Sequence, residues 1–188
     1  MTIETIISIC LGIGLAASVG FRVFLPLFAL SLASYFNAWE LNESWQWIGS
    51  LTALITLGVA TLVEVFAYYI PYVDNLLDSI SVPLAAFAGT AVMMSTVVDL
   101  SPVITWALAI IAGAGTASAI SSSAGVTRLA STASTGGVGN PIVSTIETGT
   151  AITMSVVSIF FPVLAIVLVV VILIVIFKIF KKFRPSKG

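Results

Sequence analysis

Residues 155–177 contain no charged side chain, and the eleven positions after them hold Lys178, Lys181, Lys182, Arg184 and Lys187. A helix rises about 1.5 Å per residue and the bilayer hydrocarbon is about 30 Å thick, so roughly 20 apolar residues span it. Lys and Arg accumulate on the cytoplasmic side of a span. The block therefore predicts a transmembrane helix that ends in a short cytoplasmic basic tail at 178–188. It takes five of the seven Lys and Arg residues in the chain, which leaves Arg22 and Arg128 as the only other cations.

The remainder of the chain belongs to the same solvent. The whole chain is 59% hydrophobic and 8% charged, where a soluble domain carries roughly a quarter charged residues. The apolar residues fall in several long runs, more than a soluble core can use, and residues 1–188 read as a single integral membrane domain. Net charge is −1 and the tail is the one basic cluster, which excludes nucleic acid as a partner. A basic segment beside a span suits anionic membrane lipid. Cys10 stands alone and reads as a packing residue. Met1-Thr2-Ile3-Glu4 puts an acid where a signal peptide carries a base, so the first apolar run reads as a membrane helix.

Residues 3–19 are apolar, Gly20-Phe21-Arg22 interrupts them, and 24–36 are apolar again. They form two short passes or one broken pass. Residues 37–47 carry Trp39, Glu40, Glu43, Trp45 and Trp47 without a base, the pattern of a non-cytoplasmic interface. Residues 48–70 are a span, 71–78 a cytoplasmic connector, 80–98 a span, Asp99 to Pro102 a turn, and 103–120 a further span. Residues 116–140 are mostly Ser, Thr, Ala and Gly, which by composition is a linker. Parity forbids that reading: the last helix must start outside for its tail to end inside. Residues 121–154 must then make one net crossing. The expectation is two short helical pieces broken at residues 136–141, since irregular backbone at membrane depth survives only inside protein or beside water. The predicted fold is an all-α, polytopic transmembrane helical bundle of about five or six crossings with short broken or re-entrant helices.

Charges inside such a bundle cost about 2.5–3.5 kcal/mol each, so they face inward and pair. They are Arg22, Glu64, Asp74, Asp78, Arg128 and Glu147. Two cations face four acids, so at least two carboxylates are left to protons or a cation. Glu64 reads either as a proton or cation relay or as the ion-pair partner of Arg22 or Arg128. Asp74 and Asp78 share a helix face; they cap a helix started by Pro71, or hold an Arg or a cation. In Gly136-Gly137-Val138-Gly139-Asn140-Pro141 the glycines break a helix and Pro141 begins the next, whose free N–H groups suit an anion. Gly137 and Asn140 thus line a substrate or ion site, or serve only as a hinge. Gly113, Ala117, Ser121 and Gly125 recur every four residues and predict close helix packing. Ser18 to Arg22 echoes Ser123 to Arg128, a faint sign of the inverted repeats of transporters. The chain has no His, which removes His-dependent nucleophiles and most metal sites, so no enzyme, metal or cofactor is expected.

Three blocks together resemble a known family: Gly20-Phe21-Arg22-Val23-Phe24-Leu25-Pro26-Leu27, Tyr69-Ile70-Pro71-Tyr72-Val73-Asp74-Asn75-Leu76-Leu77-Asp78, and Ser134-Thr135-Gly136-Gly137-Val138-Gly139-Asn140-Pro141. The chain is similar over nearly its whole length to the bacterial and plant membrane family catalogued as domain of unknown function 4126. The resemblance implies an integral membrane protein of bacterial inner-membrane type and implies no substrate. From the residues, the expected function is a small inner-membrane transporter or channel-like protein, a candidate homo-oligomer, with a cytoplasmic C-terminus. Arg22 and Arg128 would bind an anionic solute or lipid head group, and Glu64, Asp74, Asp78 and Glu147 would couple protons or cations. The alternative is a non-catalytic membrane scaffold or assembly protein.

Overall fold

The computed structural model describes residues 2–70 and 73–183, with side chains through Lys181. Among these residues there is helix and connecting loop and no strand. The helix-starting role expected of Pro71 and the tail residues Arg184 and Lys187 lie outside the described residues. The helices are α1 (Ile3–Val19), α2 (Phe24–Tyr35), α3 (Leu51–Ala67), α4 (Val73–Thr96), α5 (Pro102–Leu108), α6 (Gly115–Thr135), α7 (Asn140–Phe160) and α8 (Pro162–Phe183). A 3-10 helix, Glu43–Gly49, precedes α3 at a 65° bend. A π-helical stretch, Ala109–Ala114, joins α5 and α6 into one 34-residue rod.

Among the described residues four helical stretches are long and apolar enough to cross a membrane, and five if the bent pair counts as one span. Side-chain contacts give their directions. Asn140 at the start of α7 meets Asp74 at the start of α4. At the far end Ser8 and Asn42 meet Val98 and Val97 just beyond α4, and Trp39 reaches Ile159 near the end of α7. One face of the bundle, here the loop face, therefore carries residues 37–49 and the turn at Asp99. The other, the tail face, carries the turn at 136–139 and the end of α8. The chain runs from loop face to tail face in α3, back in α4, over in α5–α6, back in α7 and over in α8.

α1 is the central helix and packs against α4, α6, α7 and α8. Its small residues make that possible. A Cβ at Gly12 would lie 2.5 Å from the sulfur of Met93, and one at Gly20 would lie 2.8 Å from the carbonyl oxygen of Ala117. α1 opposes α7, with Gly14 beside Ser158 and Ser18 bonded to Ala151 and Ser155. α2 then returns alongside α7, from Arg22 near Glu147 to Trp39 near Ile159. Residues 3–36 thus form a helical hairpin that enters from the loop face. Its tip, residues 20–23, lies level with Glu147, seven residues and about 10 Å short of the start of α7. The hairpin turns back short of the tail face, and among the described residues the structure combines it with up to five candidate spans.

One expectation is corrected. Residues 121–154 do not make a crossing broken in its middle. α6 carries the previous span on to Thr135, the break at 136–139 is a tight turn at the tail face, and α7 is an unbroken 21-residue span. The net crossing that parity demanded is α7. Gly136 and Gly137 have φ of +62° and +89°, which only glycine adopts freely, and this reverses the chain in four residues. The small-residue stripe holds at one end: Gly113 packs on the backbone of Gly89 and Ala117 on Gly20, whereas Gly125 faces open space.

Candidate functional site: a buried arginine–carboxylate cluster

Arg22 at the hairpin tip, Arg128 on α6 and Glu147 on α7 meet inside the bundle, and each is at least 95% buried. Glu147 bonds both arginines. Its Oε2 accepts from Arg22 Nη1 at 3.0 Å and from Arg128 Nη2, and its Oε1 accepts from Arg128 Nε at 3.1 Å. Asp78 on α4 brings Oδ1 to 3.4 Å from Arg128 Nη1. That contact is coulombic only, because Nη1 is buried and has no hydrogen-bond acceptor. The Tyr68 ring, just past the end of α3, lies about 4 Å from both guanidinium carbons (4.1 Å for Arg22, 4.0 Å for Arg128). Both cations are close enough to the ring to benefit from its quadrupole. Four helices and the hairpin tip therefore converge on one point.

The two arginines differ in what they have left. A guanidinium has five N–H donors. Arg22 uses all of them: Nε on Thr148 Oγ1, Nη1 on Glu147 and the Phe21 carbonyl, and Nη2 on the Ser144 carbonyl and hydroxyl. Arg22 was expected to bind an anion, yet in this arrangement it has no donor free for one. Its bonds instead pin the hairpin tip to α7. Arg128 keeps the open donors of Nη1.

Glu64 and Asp74 are the two carboxylates in excess of the cations. Glu64 is neither paired with an arginine nor aimed at a relay partner. Its Oε1 and Oε2 accept from the backbone N–H groups of Val23 and Phe24, at 2.7 and 3.0 Å. These are orphan donors at the start of α2, where the helix dipole favours negative charge. Glu64 is thus a cap supplied from another helix, and it ties α3 to the hairpin. Asp74 accepts from the Asn140 amide at 3.0 Å and the Asn75 N–H at 2.7 Å. The pair Asp74 and Asp78 divides accordingly: the first fastens the start of α4 to the start of α7, and the second faces Arg128. Asn140, also bonded to Thr132 Oγ1, joins this network below the cluster. Gly137 does not join it and belongs to the turn.

Of the expected site residues, Arg22, Asp78, Arg128 and Glu147 come together, Glu64 and Asp74–Asn140 flank them, and Gly137 stays apart. Tyr68 and Thr148 were missed. Each had a signal: Tyr68 lies one helical turn after Glu64, and Thr148 follows Glu147 four residues after Ser144. Among the described residues no three acids or cysteines stand close enough to hold a metal ion.

The fold and the buried cluster define the class: an all-helical, multi-pass membrane protein with ionised side chains packed inside its bundle. The model of the family described as domain of unknown function (DUF4126) matches residues 9–182, and the chain belongs to that family. No curated protein and no solved structure matches it.

Proposed function

We propose that the protein is a small carrier of the bacterial inner membrane, with its tail face cytoplasmic, that moves an anionic solute together with a proton. The observation behind this reading is Glu147, one carboxylate shared by two guanidinium groups of which Arg128 keeps unused donors. Within ion-pair distance the cluster holds two cations, Arg22 and Arg128, and two anions, Glu147 and Asp78. Net charge is expensive at this depth. An anion that docks on Arg128 therefore displaces a carboxylate, and the surplus negative charge is removed by protonating that carboxylate. Coupling follows from neutrality, one proton for each negative charge carried.

The test uses purified protein in liposomes loaded with a pH-sensitive dye. Inward gradients of chloride, nitrate, phosphate and sulfate are applied in turn. At least one should acidify the lumen faster than in protein-free vesicles, and Glu147→Gln should remove that excess. Asp78→Asn is the companion if Glu147→Gln fails to fold. No proton movement with any of these anions, or unchanged movement in folded variants, overturns the reading. A second reading, a membrane scaffold, is favoured by Arg22, whose donors are all satisfied within the protein. It gains if the wild type is inert and substitutions at Arg22, Arg128 and Glu147 only unfold it.

A further inference from the structure

An apolar crevice runs along the outside of the bundle between α6, α7 and α8. One part encloses about 340 Å3 and is walled by Ala124, Thr127, Ile146, Glu147, Ile172 and Val175. A second part, about 380 Å3, shares Ile146 and Ile172 and continues past Gly149 and Thr153 to Leu168. Each is within the size range of small-ligand sites, roughly 300–1,000 Å3. Gly149 lines the open part of the crevice, and a Cβ at that position would meet nothing within 4 Å. A glycine inside a helix costs about 1 kcal/mol relative to alanine, and neither a turn nor a close backbone contact requires this one. Toward the tail face the α8 wall passes through Val171 and Val175, and the same i, i+4, i+7 stripe arrives at the exposed Lys178.

We infer that this crevice is a binding site for one acyl chain of an anionic glycerophospholipid, whose head group is held by Lys178 at the tail face. Three features converge. The walls are apolar and open laterally, where hydrocarbon lies. Their length runs along the helices, as a chain does. The cation stands at the end where a head group must sit. The bound chain would cover the one side on which Glu147 borders the crevice, and so keep water from the arginine cluster. This site does not depend on the carrier reading.

Delipidated full-length protein in detergent is titrated with phosphatidylglycerol or phosphatidylcholine of identical chains, and bound lipid is counted by native mass spectrometry. The wild type should hold phosphatidylglycerol about fivefold more tightly, the worth of one Lys beside an anionic surface. Lys178→Gln should bring the two lipids level. Gly149→Leu, which places a side chain in the crevice, should weaken both, as should Ala124→Leu on α6. Equal affinity for the two lipids in the wild type overturns the head-group assignment. Unchanged retention in both crevice-filling variants overturns the chain site.

Discussion

Arg22→Lys is the sharpest residue-scale test of the cluster. A lysine has three donors on one nitrogen and cannot reach the five acceptors that Arg22 serves on Thr148, Phe21, Glu147 and Ser144. At least two buried acceptors lose a partner. At roughly 0.6 kcal/mol for each hydrogen bond inside membrane proteins, the variant should be about 1 kcal/mol less stable, read as a lower Tm in detergent. A Tm equal to that of the wild type would refute the five-bond account. The importance of Arg22, Arg128 and Glu147 was legible in the sequence, because charge is so scarce in this chain that each ionised residue stands out. Their pairing was not legible. Arg22 and Glu147 are 125 positions apart, and no local pattern encodes such a contact. Tyr68 was hidden for another reason: an aromatic residue at the end of a span reads equally well as an interfacial anchor.

At the scale of elements, the turn at 136–139 is built on left-handed backbone. Gly136→Ala places a side chain at φ +62°, which should cost about 1–2 kcal/mol, again as a lowered Tm. Proton movement in liposomes should persist, because the turn is separate from the cluster. If Gly136→Ala melts like the wild type, the turn is not the strained element described. The sequence marked this break and misplaced its depth. Glycine and proline show where a helix stops, but not whether it stops inside the membrane or at its face. The 34-residue rod of α5 and α6 explains the error. It is about 50 Å long against a hydrocarbon core of about 30 Å, more than one span needs, so in sequence its polar Ser/Thr-rich end resembles the start of another crossing. The hairpin tip was marked equally well by Gly20 and Arg22. Its re-entrant course depends on where α7 stands, and α7 lies far away in sequence.

For the whole molecule, five spans and a hairpin place residues 2 and 183 on opposite faces. With Cys10 replaced by Ala, single cysteines at Thr2, Gln46 and Asp99 should react with a membrane-impermeant maleimide from one side of the membrane. A cysteine at Val138 should react only from the other. Labelling of Thr2 and Val138 from the same side would show that the first two helices cross as a full pass, and the topology would fall. The all-helical membrane class was legible from hydropathy alone, and the loop at 37–47 and the turn at Asp99 from charge and aromatic placement, whereas the connector expected at 71–78 is helical from Val73 onward, where α4 begins. The number of crossings in residues 3–36 was not legible, because helices of 17 and 12 residues are too short for length to decide.

The satisfied state of Arg22 also fixes an order of events. Every side-chain acceptor it uses belongs to residues 144–148, made more than 120 residues later. Its neighbour Glu64, which caps α2, is made about 40 residues later. At a synthesis rate of about 5–20 residues per second, the tip waits roughly 6–25 s for α7. During that interval the guanidinium lacks the side-chain acceptors it uses in the fold, and an unpaired cation at the bilayer centre costs about 2.5–3.5 kcal/mol. The hairpin tip therefore gains its side-chain partners only once residues 144–148 have been made.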